Sequence, residues 1–213
     1  MIRFITFEGG DGTGKTTQIQ ALERYLAARG KSFVSTREPG GTALGKHIRE
    51  LLLEIDRHPI AAPTELFLYL ADRAHHVKEV IIPALHDGKI VLCDRYSDST
   101  LAYQGYGRGL DLEMLRRFNQ LADHGVKPDL TLLFDCPVRL SLSRTVQRVA
   151  ANSSNSGRED RLERERAEFH EKVRAGFLAL ARAEPDRFRI IDASQPATTT
   201  SSVIEEIMDR NLG

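Results

Sequence analysis

The sequence has no excess of either charge, few cysteines and no long apolar run. Lysine and arginine together number 30 among its 213 residues, as do aspartate and glutamate, so the chain offers no overall field for nucleic acid or an anionic membrane. A bilayer span needs about 18 or more apolar residues, and neither such a run nor a signal-peptide pattern is present. We therefore expect a cytoplasmic protein with no nucleic-acid or membrane partner.

The two cysteines each close an apolar, strand-like run. Cys93 follows IVL, and Cys136 follows LLFD. Isolated cysteines in such runs favour small buried side chains over a redox or metal role.

The order of apolar patterns predicts an α/β fold in one domain, residues 1–213. Strand-like runs occupy 2–7, 31–36, 89–94, 129–135 and 187–193. Six segments show helical spacing or helix-terminal signals: 17–30, 44–53, 64–86, 110–125, 137–150 and 200–211. This alternation predicts a five-stranded parallel sheet with helices on both faces, and ligands in such sheets bind at the carboxyl ends of the strands.

Residues 149–160 interrupt the alternation. The segment VAANSSNSGRED is rich in serine, asparagine and glycine, and arginines lie at its end and beyond it, at positions 158, 161, 164 and 166. Its composition fits a solvated surface loop and a short mobile lid over about 149–161 equally well.

The segment FEGGDGTGKTTQ (7–18) carries the strongest local motif. Gly9, Gly14, Lys15 and Thr16 fit GxxxxGK[ST], between a predicted strand and a predicted helix. Glycines let backbone N–H groups converge on phosphate oxygens, while the lysine reaches the β and γ phosphates and the threonine hydroxyl binds Mg²⁺. The motif predicts ATP or GTP binding, which motors, GTPases, transport ATPases and small-molecule kinases share.

Another short segment suits a phosphoryl acceptor. In CDRY (93–96), Asp94 and Arg95 lie at the carboxyl end of the third predicted strand, at the edge where ligands bind. An aspartate there suits a magnesium-bound water or the orientation of an acceptor, and an arginine suits a bidentate contact to phosphate. A surface ion pair would explain the same residues.

Side chains that suit a base lie in two further segments. Tyr69 precedes Arg73 by four residues and therefore lies on the same helix face. The segment DSTLAYQGYGRG adds Tyr103, Gln104 and Tyr106 among glycines. A ring beside a guanidinium suits stacking on a base and hydrogen bonding to it, but for Tyr69 and Arg73 taken alone we favour core packing and a surface charge.

Together these segments resemble the thymidylate kinase family. FEGGDGTGKTTQ, TREPGGT, LADRAHHV, CDRYSDSTLAYQGYGRGL and DRLERERAEFHEKVRAGF occur in the order and at roughly the spacing typical of that family, over nearly the whole chain. The resemblance implies transfer of the γ-phosphate of ATP to thymidine monophosphate (dTMP) with Mg²⁺. It also implies a homodimer whose subunits pack helix on helix.

The resemblance also implies roles for individual residues. ATP would be bound by Gly9, Gly10, Asp11, Gly12, Thr13, Gly14, Lys15, Thr16, Thr17 and Arg144, the last near the adenine. The acceptor would be bound by Asp11, Arg37, Pro39, Tyr69, Arg73, Arg95, Thr100, Tyr103 and Gln104. Mg²⁺ would be held by Thr16 and Asp94, directly or through water, and the catalytic residues would be Lys15, Arg95, Arg158 and Arg161.

One position departs from the pattern of some family members. They carry an arginine in the phosphate loop where this chain has Gly12. Since phosphoryl transfer depends on charge neutralisation, we expect Arg158 or Arg161 of the predicted lid to replace it, and an arginine placed at Gly12 to restore part of a lost rate. We also expect Lys15 to face solvent when no ligand is bound.

Two other functions stay open at this point, one within the same class of enzyme and one from a different class. The chain could phosphorylate another pyrimidine monophosphate or a deoxynucleoside. It could instead be a nucleotide-dependent switch or assembly ATPase, but that function would leave Arg73, Arg95 and the AYQG segment without a role.

Overall fold

One parallel sheet organises the protein. The structure is a computed structural model that describes residues 2–53, 60–151, 162–163 and 165–211. The five strands of this sheet are β1 (Phe4–Glu8), β2 (Phe33–Arg37), β3 (Ile90–Asp94), β4 (Leu130–Asp135) and β5 (Phe188–Asp192). Their order is β2-β3-β1-β4-β5, and every pairing is parallel. The predicted five-stranded parallel sheet is confirmed, and the strand bounds differ from the predicted ones by one or two residues.

The helices connect and cover the strands. They are α1 (Lys15–Ala28), α2 (Ala43–Leu53), α3 (Ala62–His76), α4 (Ile82–His86), α5 (Ser97–Thr100), α6 (Leu112–Ala122), α7 (Val138–Ala151), α8 (Ala167–Ala183) and α9 (Ala197–Asn211). A π-helical segment, Val77–Ile81, joins α3 to α4, and a second one, Leu101–Gly107, continues α5. Within the described residues, none of these helices is long and apolar enough to cross a membrane.

Alternate residues of β1 face opposite helical layers. Ile5 and Phe7 lie in a buried cluster with side chains of α1 and α9. Phe4 belongs instead to a cluster that includes Val77 and Ile81. A third cluster, formed mainly by the 101–107 segment and α8, covers the remaining part of that second face. The sheet is therefore buried on both faces, as predicted, and its carboxyl edge stays available for ligands.

The helix predicted over 64–86 is interrupted. It starts at Ala62, because Pro63 suits the first turn of a helix. Its later part widens into the π-helical 77–81 segment before Pro83, which has no N–H to donate to the carbonyl four residues earlier.

Two further helical features differ from the predictions. The helical stretch over 97–107 was not predicted, because Asp98, Gly105 and Gly107 lower helix propensity. The last helix begins at Ala197 rather than Thr200. The predicted lid lies mainly at 152–161, outside the described residues, and so do Arg158 and Arg161.

Both cysteines are buried free thiols, as the sequence predicts. Burial raises the pKa of the Cys93 thiol well above its ordinary value, with the nearby Glu38 carboxylate adding to the effect. A buried thiol of raised pKa is a poor nucleophile, so a packing role fits this residue.

Candidate active site

The phosphate loop needs glycine at two positions for steric reasons. Gly9 and Gly12 have φ angles of 130° and 72°, which side chains with a Cβ rarely adopt. A Cβ at Gly9 would lie 2.4 Å from the Phe134 carbonyl oxygen, and one at Gly12 would lie 2.1 Å from the Ser141 carbonyl oxygen. This geometry argues against the expectation that an arginine at Gly12 restores activity, because the backbone of α7 occupies the space for its side chain.

Lys15 does not face solvent in this structure, contrary to the expectation from the sequence. Its side chain is buried, and Nζ donates to the carbonyl oxygens of Gly9 (3.1 Å) and Gly10 (2.7 Å). Burial and the nearby charge of Arg95 lower the pKa of the Lys15 ammonium to about 8. The loop thus supplies its own carbonyl oxygens to the ammonium, and phosphate oxygens would have to replace them.

Arg95 reaches from the end of β3 to the phosphate loop. Its φ of 70° is unusual for a residue with a side chain. Nη1 donates to the Gly9 carbonyl oxygen (2.9 Å) and Nη2 donates to Asp11 Oδ1 (2.5 Å). Burial alone would raise the pKa of Asp11, but the charges of Arg95 and Lys15 outweigh it and lower this pKa to about 2. Asp11 is therefore a carboxylate at neutral pH, held between two cations.

Two cavities meet at this ion pair. The larger has a volume of about 430 Å³ and runs along residues 11–17 of the phosphate loop and α1. The smaller has a volume of about 70 Å³ and lies beneath α3 and the 101–107 segment. Four residues line both cavities: Asp11, Glu38, Arg49 and Arg95. A group that passes from one cavity to the other would pass these charges.

Most of the described candidate residues line one of the two cavities. The larger is lined by Asp11, Gly12, Thr13, Gly14, Lys15, Thr16, Thr17, Arg37, Asp94, Arg95 and Arg144. The smaller is lined by Asp11, Pro39, Tyr69, Arg73, Arg95, Thr100, Tyr103 and Gln104. Arg37 lines only the larger cavity, although the resemblance implies an acceptor role. Gly9 and Gly10 line neither of these cavities and contact Lys15 through their carbonyl oxygens.

Arg73 is fixed by buried partners on three sides. Nε donates to Glu38 Oε2 (2.8 Å), and Nη1 donates to Thr100 Oγ1 (2.9 Å) and Asn119 Oδ1 (2.6 Å). Nη2 makes no hydrogen bond to any described residue. Since Arg73 lines the smaller cavity, this nitrogen is the part of the guanidinium left for a ligand.

Gln104 is oriented in a similar way. Its Nε2 donates to Glu65 Oε1 (2.9 Å), and Arg108 holds the same carboxylate from the other side. Among the described residues, Gln104 Oε1 has no hydrogen-bond partner. The smaller cavity therefore combines a fixed donor, Arg73, with a fixed acceptor, Gln104.

Two residues of the larger cavity suit a hard cation. Asp94 Oδ1 is buried and has no hydrogen-bond partner among the described residues, which is costly for a carboxylate oxygen unless something else binds it. Thr16 is exposed at the start of α1. The described residues contain no cluster of three or more His, Cys, Asp or Glu side chains suited to a metal ion. The oxygen atoms of Asp94 and Thr16 suit Mg²⁺, which needs few protein ligands because it keeps several waters and binds substrate phosphates.

Several residues of the site were not singled out from the sequence. Glu38, in the TREPGGT segment, accepts from Arg73 and shares a hydrogen bond with His76 Nδ1 (2.9 Å). Arg148 and Glu163 form an ion pair that lines the larger cavity. Local sequence patterns do not predict these contacts. The burial of Glu38 and the ion pair of Arg148 with Glu163 both depend on side chains that are distant in the sequence.

Comparison with known proteins identifies close relatives over nearly the whole chain. The family model described as thymidylate kinase matches residues 7–204. A thymidylate kinase of Desulfovibrio desulfuricans is 57% identical over 193 residues, which is 91% of this chain and 88% of that protein. One of Desulfosudis oleivorans is 49% identical, covering 98% of this chain and 99% of that protein. The crystal structure of a thymidylate kinase from Ehrlichia chaffeensis has a TM-score of 0.77 and 32% identity, covering 97% of this chain and 98% of that one.

Proposed function

The chain belongs to the thymidylate kinase family, and we propose that it transfers the γ-phosphate of ATP to dTMP, giving ADP and thymidine diphosphate. The observation that carries this proposal is the pair of cavities that meet at Asp11 and Arg95. A switch or assembly ATPase needs the phosphate-loop cavity but has no use for the second one.

On the donor side, we assign the phosphates of ATP to the larger cavity. The loop amides and the amino end of α1 attract anionic oxygens, and Lys15 would exchange its loop carbonyls for phosphate oxygens. Thr16 and Asp94 are the residues that would hold Mg²⁺. When bound, this ion neutralises phosphate charge during transfer. Arg144 lines the same cavity and fits the position proposed near the adenine.

On the acceptor side, we assign the monophosphate to Arg95 and the base to the smaller cavity. Arg95 lies where the two cavities meet, so its guanidinium can contact the acceptor phosphate next to the transferred group. Its contact with Asp11 neutralises this cation until a phosphate arrives. Tyr69 lines the same cavity and supplies a ring suited to stacking on the base.

The fixed donor and acceptor predict a preference for thymine over cytosine. Thymine has a carbonyl at C4 and an N–H at position 3, which suit Arg73 Nη2 and Gln104 Oε1. Cytosine presents an amino group and an unprotonated nitrogen at these positions. The donor Arg73 Nη2 would then face another donor, and the acceptor Gln104 Oε1 would face another acceptor. Leaving buried polar groups unpaired is a strong source of discrimination. We expect kcat/KM for dCMP to be about 10³-fold or more below that for dTMP.

A nucleotide panel tests the proposed function. The chain would be incubated with ATP, Mg²⁺ and dTMP, dUMP, dCMP, dGMP or thymidine in turn, with ADP and the phosphorylated product measured separately. We expect dTMP to be the best acceptor and thymidine to be inert. ADP formation without a phosphorylated acceptor would indicate an ATPase. A higher kcat/KM for dCMP than for dTMP would contradict the assignment of Arg73 and Gln104.

We also propose that the protein forms a homodimer through α2, α3 and α6. Large apolar side chains are exposed on this face: Phe67 is 58% exposed and Leu121 is 77% exposed. The Phe67 ring lies 6.1 Å from that of Phe118, so α3 and α6 present one continuous apolar surface. Leu44 and Leu51 are exposed on α2, which packs against α3. Such a surface is typical of an interface between subunits.

Light scattering coupled to size-exclusion chromatography tests the dimer. We expect the parent to elute at twice the chain mass of 23.9 kDa. A charge at the centre of an apolar interface is costly, so Leu121→Lys should shift the population to monomer. Val146→Lys is the matched control, because Val146 is 62% exposed on α7, outside the proposed face. A monomeric parent, or a dimer that Leu121→Lys leaves intact, would argue against this interface.

The compartment is a further proposal. Both cysteines are buried and form no disulfide, and the proposed reaction consumes ATP, so we propose that the protein acts in the cytoplasm.

A further inference from the structure

Glu8 is a buried carboxyl group between the phosphate loop and the turn that carries Arg95. It is the last residue of β1 and has no exposed surface. Glu8 is not one of the described residues that line the two cavities. A buried acid so close to a phosphate site requires an explanation, because burial of a carboxyl group is costly unless its hydrogen bonds are made.

Both oxygens of Glu8 bind the segment that follows β3. The Tyr96 backbone N–H donates to Oε1 (2.7 Å), and Ser99 Oγ donates to Oε2 (2.6 Å). Ser99 Oγ also accepts from Arg95 Nη1 (3.3 Å). Glu8 thus holds one residue directly after Arg95 and one side chain that contacts the Arg95 guanidinium.

The Arg95 backbone depends on such contacts. A φ of 70° is unfavourable for an arginine and persists only where the surrounding structure imposes it. The Arg95 N–H donates to the Phe7 carbonyl oxygen (3.0 Å), so β1 holds the amide of Arg95 and, through Glu8, the amide after it. This conformation lets Arg95 reach both Gly9 and Asp11.

We propose that Glu8 is a positioning residue that sets the Arg95 guanidinium at the junction of the donor and acceptor cavities. It acts through the Tyr96 amide and Ser99, and it does not touch either substrate. Because Glu8 immediately precedes the phosphate loop, the same carboxyl group fixes the distance between that loop and the arginine. The inference rests on the acceptor role proposed for Arg95.

Hydrogen bonding, rather than charge, is the property of Glu8 that the proposal needs. Burial and the nearby Asp98 carboxylate raise the pKa of Glu8 to about 8, so a proton is largely retained at neutral pH. In that form Oε1 still accepts from the Tyr96 N–H, and the hydrogen bond to Ser99 is kept with its direction reversed, because the protonated Oε2 donates to Ser99 Oγ. A glutamine makes the same two contacts, whereas alanine makes neither and aspartate is one methylene too short.

Steady-state kinetics of Glu8 variants test the inference. We expect Glu8→Gln to keep the KM for dTMP within about threefold of the parent, and Glu8→Ala and Glu8→Asp to raise it about tenfold or more, with the KM for ATP little changed. Asp129→Asn is the matched control. Asp129 also binds backbone amides of β1, those of Arg3 and Phe4, but at the far end of the strand. Its replacement should leave the KM for dTMP unchanged.

A double-mutant cycle separates positioning from general stability. If Glu8 acts through Arg95, then Glu8→Asp should have almost no effect on the KM for dTMP in an Arg95→Ala background. A purely structural role would lower thermal stability equally in both backgrounds and leave the KM of the folded fraction unchanged. Additive effects on KM would overturn the inference. Glu8→Asp keeps the cycle usable if Glu8→Ala does not fold.

The same experiments distinguish failure of the inference from failure of its premise. If Arg95→Ala leaves the KM for dTMP and kcat at parental values, the acceptor role proposed for Arg95 is wrong. If Arg95→Ala raises the KM while Glu8→Ala and Glu8→Asp do not, only the role of Glu8 is wrong.

Discussion

Replacing Lys15 by alanine is expected to abolish phosphoryl transfer and to leave the fold intact. The ammonium lies in the larger cavity and already binds two carbonyl oxygens of the phosphate loop. It is therefore placed where negative charge accumulates on the phosphates, and stabilisation of that charge is the main contribution a protein makes to this chemistry. Loss of one such group costs about 10²–10³ in kcat at other enzyme sites. For a full charge we expect at least the upper end of that range.

Two further variants isolate the charge of Lys15 from its other contributions. Lys15→Met keeps most of the aliphatic chain in place and should lose as much activity as Lys15→Ala. Lys31→Ala removes an exposed lysine at the end of the α1 to β2 connection and should behave like the parent. Circular dichroism and thermal melting would show that all three are folded. A kcat of Lys15→Ala within tenfold of the parent would contradict the role assigned to the loop.

The sheet and the phosphate loop could be predicted because their signals are local. Strands buried on both faces are short apolar runs, and a glycine-rich loop between a strand and a helix is one continuous motif. The strand bounds were therefore nearly correct. The π-helical 101–107 segment was missed because its support comes from α8 (Ala167–Ala183), which lies far along the chain.

The burial of Lys15 and the role of Glu38 could not be predicted, for a similar reason. Lys15 is buried because its ammonium binds the carbonyl oxygens of Gly9 and Gly10 in the same loop. The spacing of residues in the motif does not predict this contact. Glu38 is buried between Arg73 and His76, which approach it only after α3 packs beside β2. Residue types suited to the chemistry were visible in the sequence, whereas their mutual contacts required the fold.

Position 12 of the phosphate loop cannot supply a positive charge to the transition state. A side chain at Gly12 would collide with the Ser141 carbonyl oxygen, 2.1 Å from the Cβ position, and with Thr145 Oγ1 at 2.7 Å. Position 12 of the phosphate loop therefore has no room for an arginine side chain. The described residues on either side of segment 152–161 include Arg148 and Glu163, which line the larger cavity. We propose that Arg158 or Arg161 supplies the missing charge.

Arg158→Ala or Arg161→Ala, at least one of them, is expected to lower kcat by about 10³-fold or more, the range in which arginine fingers act. The Kd for dTMP should change less than threefold, because a group that acts mainly in the transition state contributes little to ground-state binding.

Adding Gly12→Arg should not restore the rate and should lower ATP affinity. Arg182→Ala, at an exposed position on α8, is the control and should match the parent. Steady-state rates at saturating ATP and dTMP give kcat, and equilibrium titration of dTMP gives Kd. Parental rates in both single variants and in the double variant would show that this segment supplies no catalytic charge.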